Sequence, residues 1–318
     1  MYQLPMIRRT VTLATVAMLV SAGHLYAQTF YSSVGVDVRD IVGQSMSLST
    51  TFTSPQGIAA GKFVEDDALG RERVRFSVSR FPLVYRFPGY SNSWCRPFVG
   101  VHGGLYRSTF TTRLNEDMPD RIRLHARAVS GEGGASLVIS PYVRVAPSMY
   151  VMYGRLDNRM DFISPESAVM RDYIDGVAVN WNIGTLTVGP ALKVFTDIPV
   201  GIGGMGFDAE YTSLYSQTLD VEHYLQDVRS KSYICRGRIR ASVPLGMEVR
   251  QMPLSFGSDF SVNTVGGDID RLRFCEIGGQ VNADASRRWS SPTRFYAGMG
   301  YAFNPTLNGI SVRLGMDF

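Results

Sequence analysis

The chain has 318 residues, 45% of them hydrophobic, with 32 basic and 28 acidic side chains and a formal net charge of +4. Arg8 and Arg9 supply half of that excess, so the body of the chain is near neutral and gives no electrostatic grounds for a nucleic-acid partner. Beyond Val20 no apolar run approaches the roughly 20 residues that a membrane-spanning helix needs.

The amino terminus reads in the order basic, apolar, small: Arg8 and Arg9, then TVTLATVAMLV at 10–20, then Leu25-Tyr26-Ala27 before Gln28. That order is the one of a secretory signal peptide, with cleavage after Ala27 or earlier, after Ala22 or Gly23. An exported chain without an anchor helix is secreted, periplasmic or inserted as a closed barrel. Residues 28–318 are read as a single large domain.

From there the sequence alternates. Phe30 to Ile41 carries Val34, Val36 and Val38 at every second position and is expected to be a first strand. Residues 54–70 read as a long loop with an acidic cluster. In 73–87 the apolar phase slips near Ser79-Arg80, which predicts a bulge or tight turn. Val99, Val101 and Leu105 oppose His102 and Tyr106. Residues 135–146 read as one strand with Leu137, Ile139, Val143 and Val145 on its apolar face. Leu186, Val188, Leu192 and Val194 oppose Thr185, Thr187 and Lys193, and Met205, Phe207, Ala209 and Tyr211 oppose Asp208, Glu210 and Thr212. Residues 233–243 set Arg236, Arg238 and Arg240 on one face against Cys235, Ile239, Ala241 and Val243. Residues 254–263 turn Asp259 and Asn263 inward, 272–283 turn Glu276, Gln280 and Asn282 inward, and 294–303 carry an aromatic at each end of the apolar face. No run of ten to fifteen residues with helical periodicity stands out after the signal.

The fold class expected is all-β: a transmembrane antiparallel up-and-down barrel of about 12 strands, within 10 to 14. An even number places both termini on the periplasmic side. Three arginines at alternate positions share one environment, and that environment must be wet. Arg236, Arg238, Arg240 and Arg313, with Asp208, Glu210, Asp259, Glu276 and Asp317, are therefore expected to form a polar network in the lumen. A mostly filled lumen is preferred to a narrow aqueous path.

The last ten residues, GISVRLGMDF, place Ile310, Val312, Leu314, Met316 and Phe318 on one face and end the chain on an aromatic. This stretch resembles the C-terminal assembly signal of bacterial outer-membrane β-barrel proteins, and it implies recognition by the barrel assembly machinery. A signal followed almost at once by about 12 strands is similar to the translocator domain of an autotransporter without its passenger, the solitary autotransporter-like barrels. The resemblance implies residence in the outer membrane of a Gram-negative bacterium after export, with outer-membrane lipid and lipopolysaccharide as surroundings. With no room for a large passenger ahead of the barrel, it does not imply passenger secretion.

Candidate chemistry is sparse. After the signal only His102, His125 and His223 remain. His102 points inward on this register with Ser108 as the nearest hydroxyl, whereas a Ser/His couple also needs an orienting carboxylate. The acidic clusters Glu65, Asp66 and Asp67, then Glu116, Asp117 and Asp120, then Asp157 and Asp161 lack the spacing of a dedicated calcium loop. They read as solvated outer loops, so no metal and no cofactor are expected. Cys95, Cys235 and Cys275 cannot all pair within one chain and read as small apolar fillers. The expected function is a non-enzymatic integral barrel of structural, small-pore or translocator type. The alternatives are an outer-membrane barrel hydrolase acting on lipid through His102, and a soluble periplasmic or secreted β protein.

Overall fold

A computed structural model describes residues 38–53, 61–66, 73–87, 94–112, 120–268, 272–285, 294–305 and 307–317. The signal segment, Phe318 and the acidic residues Asp67, Glu116 and Asp117 lie outside the described residues. Twelve antiparallel strands close on themselves in sequence order. They are β1 (Gly61–Asp66), β2 (Arg73–Arg86), β3 (Cys95–Thr112), β4 (Asp120–Ser140), β5 (Val143–Asp161), β6 (Asn182–Val200), β7 (Gly203–Leu219), β8 (Arg229–Val249), β9 (Met252–Gly267), β10 (Leu272–Asp284), β11 (Arg294–Phe303) and β12 (Leu307–Asp317). β1 closes the ring against β12, with Lys62 opposite Ile310 and Gly61 opposite Ser311. Closure leaves no unpaired edge, the condition for strands to cross a bilayer.

The alternation of side chains sets the two environments. On the outer wall Ile310, Val312 and Leu314 are 56%, 47% and 71% exposed, and Ile277, Met299 and Tyr301 stand beside them. Facing inward on the same strands are Ser311, Glu276 and Ala302, all fully buried. On β4 the outward apolar residues run from Val129 to Ile139, and on β5 from Val143 to Tyr153. Each stretch is of the length that a tilted strand needs to cross the hydrocarbon. Above them, Asp120–Ala128 and Gly154–Asp161 project beyond the membrane. Three connections at one end are two-residue turns, at 141–142, 201–202 and 250–251. The opposite end carries longer excursions: α2 (Pro165–Ile174) between β5 and β6, and a 3-10 helix (Tyr224–Gln226) between β7 and β8. Short turns mark the periplasmic end and long loops the outer one.

Four expectations are corrected. Of the anticipated first strand, Val38 to Ile41 is helical and opens α1 (Val38–Thr53), the remainder lying outside the described residues. The segment 61–66, read as loop, is β1. β2 does not slip: its pairing with β3 runs unbroken from Arg75–Thr109 to Arg86–Phe98. The apolar phase changes because Phe76 and Val78 face the filled lumen, whereas Phe81, Leu83 and Tyr85 face outward lower down. Residues 135–146 are two strands joined at Pro141-Tyr142, with a register irregularity between Val138 and Ser140.

Candidate functional site in the barrel lumen

The lumen is occupied by α1. Val38, Val42 and Met46 recur every four residues and are buried, as one face of a helix requires. Its last two turns are buried on every side, including Ser47, Ser49, Thr50, Thr51 and Thr53. Serine and threonine are poor helix formers because their hydroxyls compete for backbone groups. Here that bonding is absorbed locally: Ser49 Oγ donates to Ser45 O at 2.6 Å and Thr53 Oγ1 to Ser49 O at 2.7 Å.

The direction of α1 follows from its contacts. Val38 shares an apolar cluster with Leu225 of the 3-10 helix, and Gly43 lies against Val228, both at the outer mouth. Ser47 Oγ hydrogen-bonds Ser230 Oγ at the outer start of β8. Six residues further on, Thr53 reaches the middle of the wall, with Oγ1 3.7 Å from Met152 Sδ. It sits over Gly104, where a Cβ would meet Thr53 O at 2.6 Å. The helix therefore enters from the outer mouth and descends about 24 Å at 1.5 Å per residue. Its amino-terminal end faces outward, whereas β1 begins and β12 ends at the periplasmic end, as an even number of strands requires; the chain's own amino terminus lies outside the described residues.

Around the helix the outer half of the lumen is apolar. Phe52 stacks on Tyr106 with ring centroids 5.2 Å apart and contacts Phe76 at 5.0 Å, and Phe76 stacks on Phe63. Trp181, Leu124, Leu156, Ile183 and Phe274 complete the cluster. The outer loops cover the mouth. Asp120, buried at the start of β4, accepts hydrogen bonds from Ile163 N, Ser164 N, Ser164 Oγ and Ser167 Oγ at 2.7–2.9 Å. Ser164 in turn caps α2, with Pro165 at its first position. Burial pushes the Asp120 carboxyl up, but these four donors outweigh it and hold the group below its ordinary value. Gln226 Nε2 donates to Gly176 O and Val177 O at 3.0 and 3.1 Å, tying the 3-10 helix to the end of α2.

On the periplasmic side of the helix end the lumen turns polar. Arg313 lies between two carboxylates, 2.5 Å from Asp259 Oδ1 and 2.7 Å from Glu276 Oε1. Arg238 contacts Asp259 at 3.2 Å, Arg236 stands 3.6 Å from Glu276, and Ser311 Oγ donates to Glu276 at 2.6 Å. Arg240 belongs to a second group: its Nε and Nη2 hold Asp208 at 2.7 and 2.8 Å, and Nη2 reaches Asp197 at 3.1 Å. Arg144 closes that group on Asp197 at 2.6 Å. A third surrounds Glu132, which accepts from Ser148 Oγ at 2.8 Å and lies 3.3 Å from Lys193 Nζ and 3.2 Å from His102 Nε2. Of the residues expected in the network, Arg236, Arg238, Asp259, Glu276 and Arg313 are brought together, and Arg240 stands beside them. Asp317 is the last residue of β12, opposite Arg294 in the ladder; its side chain and that of Met316 lie outside the described part.

Sequence reasoning missed Glu132 and Asp197. Glu132 sits in a Gly-Glu-Gly-Gly run whose outward positions, Gly131 and Gly133, carry no apolar side chain, so the strand phase was invisible there. His102 is inward and buried as expected, with Glu132 as a carboxylate neighbour. Its Nε2 faces a Glu132 carboxylate oxygen at 3.2 Å, and among the described residues no hydroxyl, Ser108 and Ser130 included, bonds the ring. His125 lies within β4, near its outer end, and His223 caps the 3-10 helix. Asp157 and Asp161 are strand residues ion-paired with Arg159 and Arg123. The three cysteines are free thiols, with Cys235 on the outer wall.

Twelve strands closed around the chain's own preceding helix define a helix-plugged membrane β-barrel. Residues 58–274 match the model of the family described as the solitary outer membrane autotransporter β-barrel domain, and the chain belongs to that family. Among solved structures, the β domain of the Bordetella autotransporter Brka is similar with a TM-score of 0.54 at 15% identity, covering 81% of this chain and 98% of that one. The transport unit of the autotransporter AIDA-I from Escherichia coli gives 0.52 at 11% identity, over 88% and 98%. The translocator domain of NalP from Neisseria meningitidis gives 0.50 at 10% identity, over 93% and 99%. No curated protein sequence matches the chain. Family membership removes the soluble alternative and places the barrel among outer-membrane proteins.

Proposed function

We propose that this protein is a non-enzymatic, translocator-type outer-membrane barrel that holds its lumen closed with α1 and presents the chain ahead of Val38 at the cell surface. The observation that carries this reading is the direction of α1, with Val38 at the outer mouth and Thr53 inside. The apolar packing around Phe52 and the ion pairs beneath leave the helix as a plug rather than the lining of a pore. Export by the amino-terminal signal and insertion by the assembly machinery through Ile310, Val312, Leu314, Met316 and Phe318 complete the proposal. The absence of catalysis is supported by the geometry at His102, whose ring nitrogens bond no hydroxyl. An epitope tag placed just before Val38 tests the orientation on intact cells. Antibody binding without permeabilisation is expected, and binding only after the outer membrane is opened would overturn it.

A further inference from the structure

The outer wall of β3–β5 changes character immediately above the hydrocarbon belt. Val101 and Leu105 on β3, Val129 on β4 and Met149, Val151 and Tyr153 on β5 are exposed and apolar. The next outward positions are Arg107, Arg127 and Arg155, all exposed. The ladder places Arg127 directly opposite Arg155, one step above the pair Val129–Tyr153, and Arg107 lies on the diagonal from Arg127, opposite His125. Like charges directly opposite one another in an antiparallel pair are destabilising.

Further up this wall charge is neutralised at two arginines: Arg123 is held by both oxygens of Asp161 at 2.5 and 2.6 Å, and Arg159 by Asp157 at 2.9 Å. At the belt itself it is not. Arg155 Nε donates to Asn182 Oδ1 at 2.7 Å, a neutral partner, and none of the three guanidiniums is ion-paired to a carboxylate among the described residues. The apolar row below and the cationic row above match an amphiphile with acyl chains and an anionic head at one depth. Guanidinium groups bind phosphate bidentately, and they are always charged.

We propose that Arg107, Arg127 and Arg155 form a binding site for the phosphate groups of a phosphorylated glycolipid of the outer leaflet, the lipid class of lipopolysaccharide, whose acyl chains lie on Val129, Tyr153 and Leu105. The site rests on the orientation proposed above, in which the loop-bearing end faces outward. The bound phosphate removes the repulsion between Arg127 and Arg155, so lipid and wall stabilise one another.

The test is native mass spectrometry of the detergent-extracted full chain titrated with bisphosphorylated lipid A and with its dephosphorylated form. The wild type is expected to prefer the phosphorylated lipid. The R127Q/R155Q variant is expected to bind it about tenfold more weakly, the effect of losing one or two charge-assisted hydrogen bonds. A control variant, R121Q/R123Q, removes two charges from the same wall further from the trio and is expected to bind as the wild type does. Equal binding of the two lipid forms, or equal losses in both variants, would overturn the site. Heat-modifiability on a detergent gel is read in parallel. A wild type without that shift would remove the membrane reading and the site with it, whereas a shifting wild type that ignores the phosphates overturns the site alone.

Discussion

Arg313 shows how the lumen tolerates charge. It stands 9% exposed between Asp259 and Glu276, and each carboxylate also faces a second arginine. A buried pair adds little net stability when intact, but removal of one member leaves the other desolvated and unpaired. Arg313→Met is therefore expected to lower barrel stability by about 3 kcal/mol, read as a lower temperature for loss of the compact gel band. Arg313→Lys, which keeps the charge but not the two-pronged geometry, should fall between the two; a melting temperature equal to wild type for the Met variant would contradict the network. Gly300 belongs to the same construction. A Cβ there would stand 2.6 Å from Ser311 Oγ and 2.8 Å from Glu276 Oε1, so glycine leaves the volume that the arginine and carboxylate heads fill.

At the scale of elements, two features depend on local chemistry. Asp120 anchors α2 through four hydrogen bonds, and Asp120→Ala is expected to release the outer loop at a cost above about 2 kcal/mol. Limited proteolysis of intact cells should then cut within 162–181, with the barrel itself resistant. Because the carboxyl is held below its ordinary value of 3.8, its contribution is fully present above that pH and is lost only as the pH falls through the lower folded value. Wild-type protection of the loop should accordingly persist at pH 5; cleavage there as fast as in the alanine variant would contradict the anchor. The periplasmic turn at Arg250-Gln251 holds both residues in the left-handed region, with φ of 52° and 67°. Side chains other than glycine and asparagine pay about 1 kcal/mol each in that region. Replacement by Asn-Gly is expected to raise the unfolding midpoint, and an unchanged or lower midpoint would show the turn to be set by something else.

Over the whole molecule, the strands were legible because lipid imposes a strict alternation on the outer wall, and the terminal Ile310, Val312, Leu314 pattern carries it most cleanly. The inward arginines were legible for the same reason: Arg236, Arg238 and Arg240 share one phase with no apolar residue among them. The helix was not legible. Val34, Val36 and Val38 alternate as a strand would, and the Ser/Thr-rich run 47–53 holds Leu48 as its one strong helix former, so that the surrounding barrel rather than intrinsic propensity stabilises α1. The same plug explains the misread phase in β2, where Phe76 and Val78 pack inward on Phe52 and Phe63. A barrel filled this way is closed by its own chain, and the claim is tested most directly by planar-bilayer conductance of the intact protein against a variant lacking residues 38–53, each first shown to be folded by its heat-modifiable band. The intact barrel is predicted to be closed and the deletion to open a steady ion-conducting pore. Equal conductance in the two would contradict the plug.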